Sequence, residues 1–172
     1  METKLKTEIH PEAQQFRKKI LNPFLFNFFL LLKLPAAFFM RIKVKKLDQD
    51  QAEVWVPYRW RTQNPFRSTY FAAQAAAAEM STGVLAMLHL QGKGKVSMLI
   101  TDMKGNYSKK ATSNVVFICN EGAKVKATIE KAIALKEGQS VTLNAVGQQK
   151  GKNGEWVEVS RFEFTWSFKA KN

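Results

Sequence analysis

The stretch "FAAQAAAAEM" (residues 71–80) restricts the possible folds of this chain more than any other. Six of the seven residues from Ala72 to Ala78 are alanine, the residue with the highest intrinsic helix propensity. The helical pattern runs on to about His89. Between Tyr70 and His89 the only charged side chain is Glu79, with Gln74, Ser81 and Thr82 adding modest polarity. A helix of about 20 residues spans ~30 Å, and one that is apolar nearly all round is a buried one. Alanine explains how such a helix can be buried, because short side chains let a sheet curl closely around it. Ser68 or Thr69 is the expected N-cap.

Glu79 is the exception on this helix. At helical spacings of four and seven it shares a face with Ala72, Ala75 and Gly83, all small. Of the 14 acidic residues, only Glu79 and Asp102 lie between Val54 and Asn120. Burying a carboxylate unpaired is costly, which leaves two readings. Either Glu79 closes the polar edge of a packed helix and pairs with an Arg or Lys, or it is a general base facing a cleft whose low dielectric raises its pKa.

Around this helix the pattern predicts one α+β domain. Residues 11–42 read as helical, with Pro23–Leu32 and Pro35–Met40 each opened by a proline. "EVWVPYRW" (53–60) alternates as a strand, placing Val54, Val56, Tyr58 and Trp60 on one face, with Pro57 marking an edge or bulge. "LQGKGK" is a flexible break after the alanine helix. Strands are then expected at Val96–Met103, Tyr107–Asn120, Lys124–Leu135, Ser140–Gln149 and Glu155–Lys169, joined by turns at "KGN", "EG", "KEG" and "KGKNG". In the last strand Val157 and Val159 fall at odd positions, whereas Phe162, Phe164, Trp166 and Phe168 fall at even ones. A period of two changes phase only by insertion, so a β-bulge is expected near Ser160–Arg161.

Charge and rare residues restrict the chemistry. A net charge of +13 suits nucleic acid, anionic lipid or a phosphate-bearing ligand, or simply solubilises an apolar domain. The lysines are spread along the chain and form no basic-aromatic nucleic-acid module, so nucleic acid is not an expected partner. The single Cys119, in "VVFIC", rules out an internal disulfide and a multi-Cys zinc site, and fits a buried, inert thiol. The two histidines, His10 and His89, have no ligand at metal spacing. "FLFNFFLLL" (24–32) is strongly apolar but bounded by Pro23, Lys33 and Pro35, too short for the ~20 residues of a spanning helix. No small-residue cleavage site follows it, so a signal peptide is not expected, and the location is expected to be cytoplasmic.

The order of strand, Asn-containing loop, long helix with a central acid and antiparallel strands resembles the hotdog fold. More narrowly, residues 50–168 resemble the PaaI-like acyl-CoA thioesterases and an uncharacterised branch near them. That family carries an Asn, a His-Gly at the helix start usually six residues on, and an Asp or Glu usually fifteen residues on. Counting from Asn64, those positions here are Tyr70 and Glu79. "VTLNAVGQQKGKNGEWVEVSRFEFTW" resembles the family's closing hairpin. The resemblance implies a single hotdog domain over 47–172, with 1–46 as a helical extension packed on it. It implies Glu79 as general base or nucleophile, Asn64 holding the attacking water or the carbonyl, and an oxyanion hole from backbone N–H groups near Tyr70 and Phe71. Lys109, Lys110 and Arg67 would serve the phosphates of coenzyme A, which enters as part of the substrate and not as a cofactor, and Gln74 would contact substrate. The family works as dimers, sometimes dimers of dimers, in which the acid of one subunit faces the loop of the other. Tyr70-Phe71 departs from the family's His-Gly, and the bulk of Phe71 is expected either to narrow the pocket or to block it.

The expected activity is hydrolysis of a fatty or aromatic acyl thioester. Two alternatives stand beside it. A hotdog dehydratase pairs the helix acid with a histidine, but His89 lies ten residues, ~15 Å, beyond Glu79. A non-catalytic acyl-CoA or lipid binder fits the lost His-Gly and could touch membrane through residues 24–32 and the basic "RIKVKK". For those apolar helices, roofing the acyl tunnel is the expectation preferred to membrane contact.

Overall fold

The computed structural model describes residues 10–171; the first nine residues and Asn172, within the expected domain limits, lie outside it. Three proline-opened helices come first: α1 (Pro11–Leu21), α2 (Pro23–Lys33) and α3 (Pro35–Phe39). Asn22 caps α2, its Oδ1 accepting from the N–H groups of Phe24 (3.0 Å) and Leu25 (3.2 Å). Strands β1 (Lys43–Leu47) and β2 (Ala52–Val56) form an antiparallel pair. A short 3-10 helix, Trp60–Thr62, precedes the long helix α4 (Phe71–Leu90). Then come β3 (Val96–Tyr107), β4 (Val115–Cys119), α5 (Gly122–Leu135), β5 (Gln139–Lys150) and β6 (Trp156–Ala170).

The six strands form one antiparallel sheet in the order β1-β2-β4-β5-β6-β3, wrapped around α4. Ala73, Ala77 and Ala78 of α4 are fully buried, against a sheet face built from Val54, Phe117, Leu143, Phe162 and Phe168. Each buried aromatic or aliphatic side chain of this kind contributes about 1.5–3 kcal/mol relative to exposure. Alanine therefore serves as the small side of the interface and the sheet's phenylalanines as the large side. By length and composition α4 could cross a membrane, but it forms the core of this fold.

Several local expectations are corrected. Lys124–Leu135 is not a strand but lies in α5. Val125, Ile129 and Ala132 are buried at helical spacing, whereas Ala127, which alternation had placed beside Val125 and Ile129, is exposed. "KGN" is not a turn. Gly105 pairs with Phe162 inside β3, and a Cβ there would meet Phe162 Cε1 at 2.9 Å, so the glycine makes room for the ring. The expected strand 107–120 is interrupted by a loop at 108–114. β2 ends at Val56, since Pro57 has no N–H to pair, and Trp60 leaves the sheet to become 74% exposed. β1 was masked by its lysines, yet Val44 and Leu47 point inward. The N-cap of α4 is Tyr70, with no side-chain cap bond, rather than Ser68 or Thr69.

The bulge in β6 is present. Gly147 pairs with Ser160 but Gln148 with Glu158, leaving Val159 as the inserted residue, and both Val159 and Ser160 are buried. Ser160 Oγ donates to Gln74 Oε1 at 2.8 Å, and Gln74 Nε2 donates to the Thr69 carbonyl at 3.2 Å. The bulge thus aims a hydroxyl at the first turns of α4.

Candidate active site

The loop entering α4 is rigid for reasons visible residue by residue. Asn64 Oδ1 accepts from the N–H groups of Phe66 (3.0 Å) and Ser68 (3.1 Å) and from Ser68 Oγ (3.2 Å), while Asn64 N–H donates to Ser68 O (2.9 Å). This Asx-type arrangement holds Arg67 at φ 58°, and Tyr58 Oη donates to the Arg67 carbonyl at 2.9 Å. Thr69 N–H donates to Ala111 O at 2.8 Å, tying the entry loop to the 108–114 loop. Gln149 secures that second loop, its Oε1 accepting from Thr112 and Ser113 and its Nε2 donating to Lys110 O.

Between these two loops and the start of α4 lies a cleft of about 370 Å³. It gathers five residues singled out from the sequence, Asn64, Phe71, Gln74, Lys109 and Lys110. Ser68, Thr69, Tyr107, Ser108 and Ala111, which sequence reasoning did not select, complete the lining. In the sequence Ser68 and Thr69 read as N-cap candidates and Tyr107 as the start of a strand, while Ser108 and Ala111 had no signal beyond adjacency to the two lysines. Among the described residues no carboxylate lines the cleft, and Lys109 and Lys110 are exposed. Arg67, Tyr70 and Glu79 do not line it.

The backbone donors at the helix start divide unevenly. Tyr70 N–H donates to Thr62 O at 2.7 Å and so is engaged. Among the described residues no acceptor takes the N–H groups of Phe71 and Ala72, which point out of the positive end of a 20-residue helix. The Phe71 ring is 58% exposed and packs edge-on against Tyr70, with centroids 4.9 Å apart.

Glu79 lies eight residues beyond Phe71, ~12 Å along the helix. It is half-buried, on a face it shares with the half-exposed Ala72, Ala75 and Ala76. Among the described residues no side chain or backbone group hydrogen-bonds or ion-pairs with its carboxylate. The pairing with Arg or Lys that a purely structural role requires is therefore absent there. Burial raises its pKa above the ordinary glutamate value. Its surroundings are held firmly: Trp166 Nε1 donates to Thr82 Oγ1 (2.9 Å), which donates to the Glu79 main-chain carbonyl (2.9 Å). Both Glu79 Oε1 (3.6 Å) and the Trp166 ring (3.4 Å) lie within contact of the position a Cβ on Gly83 would occupy.

The other titratable candidates are accounted for elsewhere. His89 Nε2 is 2.9 Å from Gln49 O at the far end of α4, and burial lowers its pKa. Cys119 is fully buried, and burial pushes its thiol up to about 11, consistent with an inert side chain.

A six-stranded antiparallel sheet wrapped on one long helix, with an acid at mid-helix and a cleft at its entry loop, defines a hotdog fold. Solved structures agree on the fold. A protein of unknown function from Chlorobaculum tepidum is 15% identical with a TM-score of 0.71, covering 88% of this chain and 99% of its own. A protein of Pseudomonas aeruginosa described as a probable thioesterase is 13% identical with a TM-score of 0.67, covering 89% and 99%. A thioesterase family protein of Silicibacter pomeroyi is 11% identical with a TM-score of 0.61, covering 92% and 99%. By sequence, residues 24–166 match the family described as Domain of unknown function (DUF4442), and the chain belongs to that family. No curated protein matches it.

Proposed function

We propose that this protein hydrolyses acyl thioesters, with Glu79 as the general base. The observation that carries the reading is Glu79 itself: a half-buried carboxylate with no partner among the described residues, on an otherwise small and apolar helix face. An uncompensated carboxylate is costly, and its raised pKa suits proton abstraction near neutral pH. In this mechanism Glu79 takes a proton from water and the resulting hydroxide attacks the thioester carbonyl. The tetrahedral oxyanion is met by backbone N–H groups at a helix start, with Phe71 and Ala72 as the donors. The C–S bond then breaks, and the leaving thiolate recovers the proton from Glu79. Lys109 and Lys110 supply cationic contacts for the phosphates of a coenzyme A carrier.

Because Glu79 does not line the cleft of its own chain, the reading includes a second copy whose loop faces Glu79. The outer edge of β3 supports such pairing. Among the described strands this 12-residue strand pairs with β6 alone, and it exposes Leu99, Met103 and Tyr107. The second reading is a non-catalytic acyl-CoA binder, favoured by one observation: Phe71 places a ring at the mouth of the cleft. A panel of acyl-CoA thioesters assayed with wild type and Glu79→Gln separates the two. Hydrolysis lost in the variant supports catalysis, and tight binding without turnover supports the binder.

A further inference from the structure

The helical layer α2–α3 is the least water-compatible surface of the molecule. In α2 only Phe26 and Leu30 face the core. Outward, Phe24 is 86% exposed, Phe28 63% and Leu32 62%, and Phe39 of α3 is 51% exposed. Soluble monomers rarely leave so many large apolar side chains together in water. The apolar surface continues onto Trp60, whose ring meets Phe39 edge-on at 6.0 Å, with the Arg61 guanidinium 5.2 Å from the Phe39 ring.

The charge around this face is one-sided. From Ala13 to Leu47 the chain carries eight lysines and arginines and no aspartate or glutamate. Beside α3 opens a cleft of about 420 Å³ lined by Arg41, Lys43, Arg59 and Arg61 together with Trp55 and Trp60, and among the described residues no acid lines it. Arg41 carries a further sign. It follows α3 at φ 56°, and the Arg41 N–H → Phe38 O (3.0 Å) and Ile42 N–H → Ala37 O (3.2 Å) bonds make it the left-handed residue of a Schellman closure. Glycine normally fills that position. An arginine held there, at the wall of a basic cleft, keeps a strained backbone where a cation is presented.

We infer that the face formed by α2, α3 and Trp60 docks on an anionic phospholipid bilayer, with a headgroup phosphate received in the Arg41–Arg59–Arg61 cleft. An 11-residue helix is ~16 Å long, too short to cross a hydrocarbon core of ~30 Å, so α2 lies in the interface plane. Apolar side chains inserting beside a basic rim are the two signals that stable peripheral attachment requires. A second copy is the poorer occupant, since pairing this face with itself would bring like charges together. The pairing edge proposed at β3 lies at the opposite end of the sheet from β1 and leaves the face uncovered. This replaces the preferred expectation that the apolar helices roof an acyl tunnel, because α2 does not line the cleft at the start of α4.

The test is flotation of the full chain with phosphatidylcholine vesicles, with and without about 30% phosphatidylserine. Wild type is expected to partition onto the anionic vesicles and to be released by high salt. Phe24→Asp/Phe28→Asp, on exposed positions, is expected to lower partition at least tenfold with unchanged circular dichroism. Arg41→Gly, which relieves the left-handed strain and cannot weaken the fold by removing a buried group, is expected to lower it roughly fivefold. Wild type that ignores anionic vesicles, binds neutral ones equally, or tolerates the double substitution overturns the docking. So does an oligomer that the double substitution disperses in the absence of vesicle binding, because a second copy would then own the face. Unchanged partition of Arg41→Gly overturns the headgroup assignment.

Discussion

Replacing Glu79 by glutamine should make this protein more stable, and that outcome follows from the unpaired carboxylate. Glutamine keeps the shape and removes the charge. A buried polar group without a partner costs about 1–3 kcal/mol. The half-exposed Ala72 and Ala75 leave Glu79 part of its water, so the lower end, about 1 kcal/mol, applies. For a chain of 172 residues this corresponds to a rise in Tm of roughly 2–4 °C at pH 7. The sign with pH is fixed by the direction of the shift. Burial raises the folded-state pKa, so the cost is absent below the ordinary glutamate value of about 4.3 and builds as pH rises through it and the folded-state value. The variant's advantage should therefore open between mildly acid and neutral pH and vanish at low pH. Scanning calorimetry from pH 4 to 8 at one protein concentration measures it, with circular dichroism confirming the fold. A Tm for Glu79→Gln below that of wild type at pH 7 would refute the reasoning, because it would mean that the carboxylate has a stabilising partner.

Two further outcomes follow from other parts of the fold. A Cβ on Gly122 would overlap the Gln49 carbonyl oxygen, backbone that cannot swing aside, so Gly122→Ala should destabilise by about 1–3 kcal/mol in urea unfolding. At Glu121 burial alone would raise the pKa, but hydrogen bonds from Lys124 and from the backbone and side chain of Asn144 outweigh it and hold the carboxyl below its ordinary range. That contribution is present above the ordinary glutamate pKa and lost as pH falls. Glu121→Gln should therefore lower Tm at pH 7, with the deficit shrinking below about pH 4.

The core helix, the bulge and the α+β layout were legible because each left a periodic trace. Alanines without charge declare a helix that something must wrap, and the switch of Phe162, Phe164 and Trp166 to even positions can only be an inserted residue. Elements whose trace was mixed were misread. In α5 the near-alternation of Val125, Ala127 and Ile129 fits period two in the sequence, and the exposure of Ala127 with the burial of Ala132 decides for the helix. β1 hid behind lysines whose stems lie along the sheet, and "KGN" looked like a turn because the ring that requires Gly105 comes from β6, far along the chain. The cleft was half legible: Asn64 and Phe71 came from motif spacing and Gln74 from the sparse polarity of the helix, whereas Tyr107 and Ser108 arrive through a strand pairing that no local pattern reports. The basic cleft at Arg41, Arg59 and Arg61 is a tertiary meeting of the turn after α3 with the segment that opens the 3-10 helix, and had no local signature.

The central claim, that Glu79 performs thioester hydrolysis, is tested most directly by kcat/KM for the best substrate in an acyl-CoA panel. Wild type and Glu79→Gln are compared across pH in protein verified as folded. A positioned general base is worth typically 10²–10⁴ in rate, so the variant should lose at least about a hundredfold. The wild-type profile should fall on the acid side through a pKa above the ordinary glutamate value. Hydrolysis that survives the substitution unchanged, or a wild type that turns over no thioester in the panel, would contradict the account.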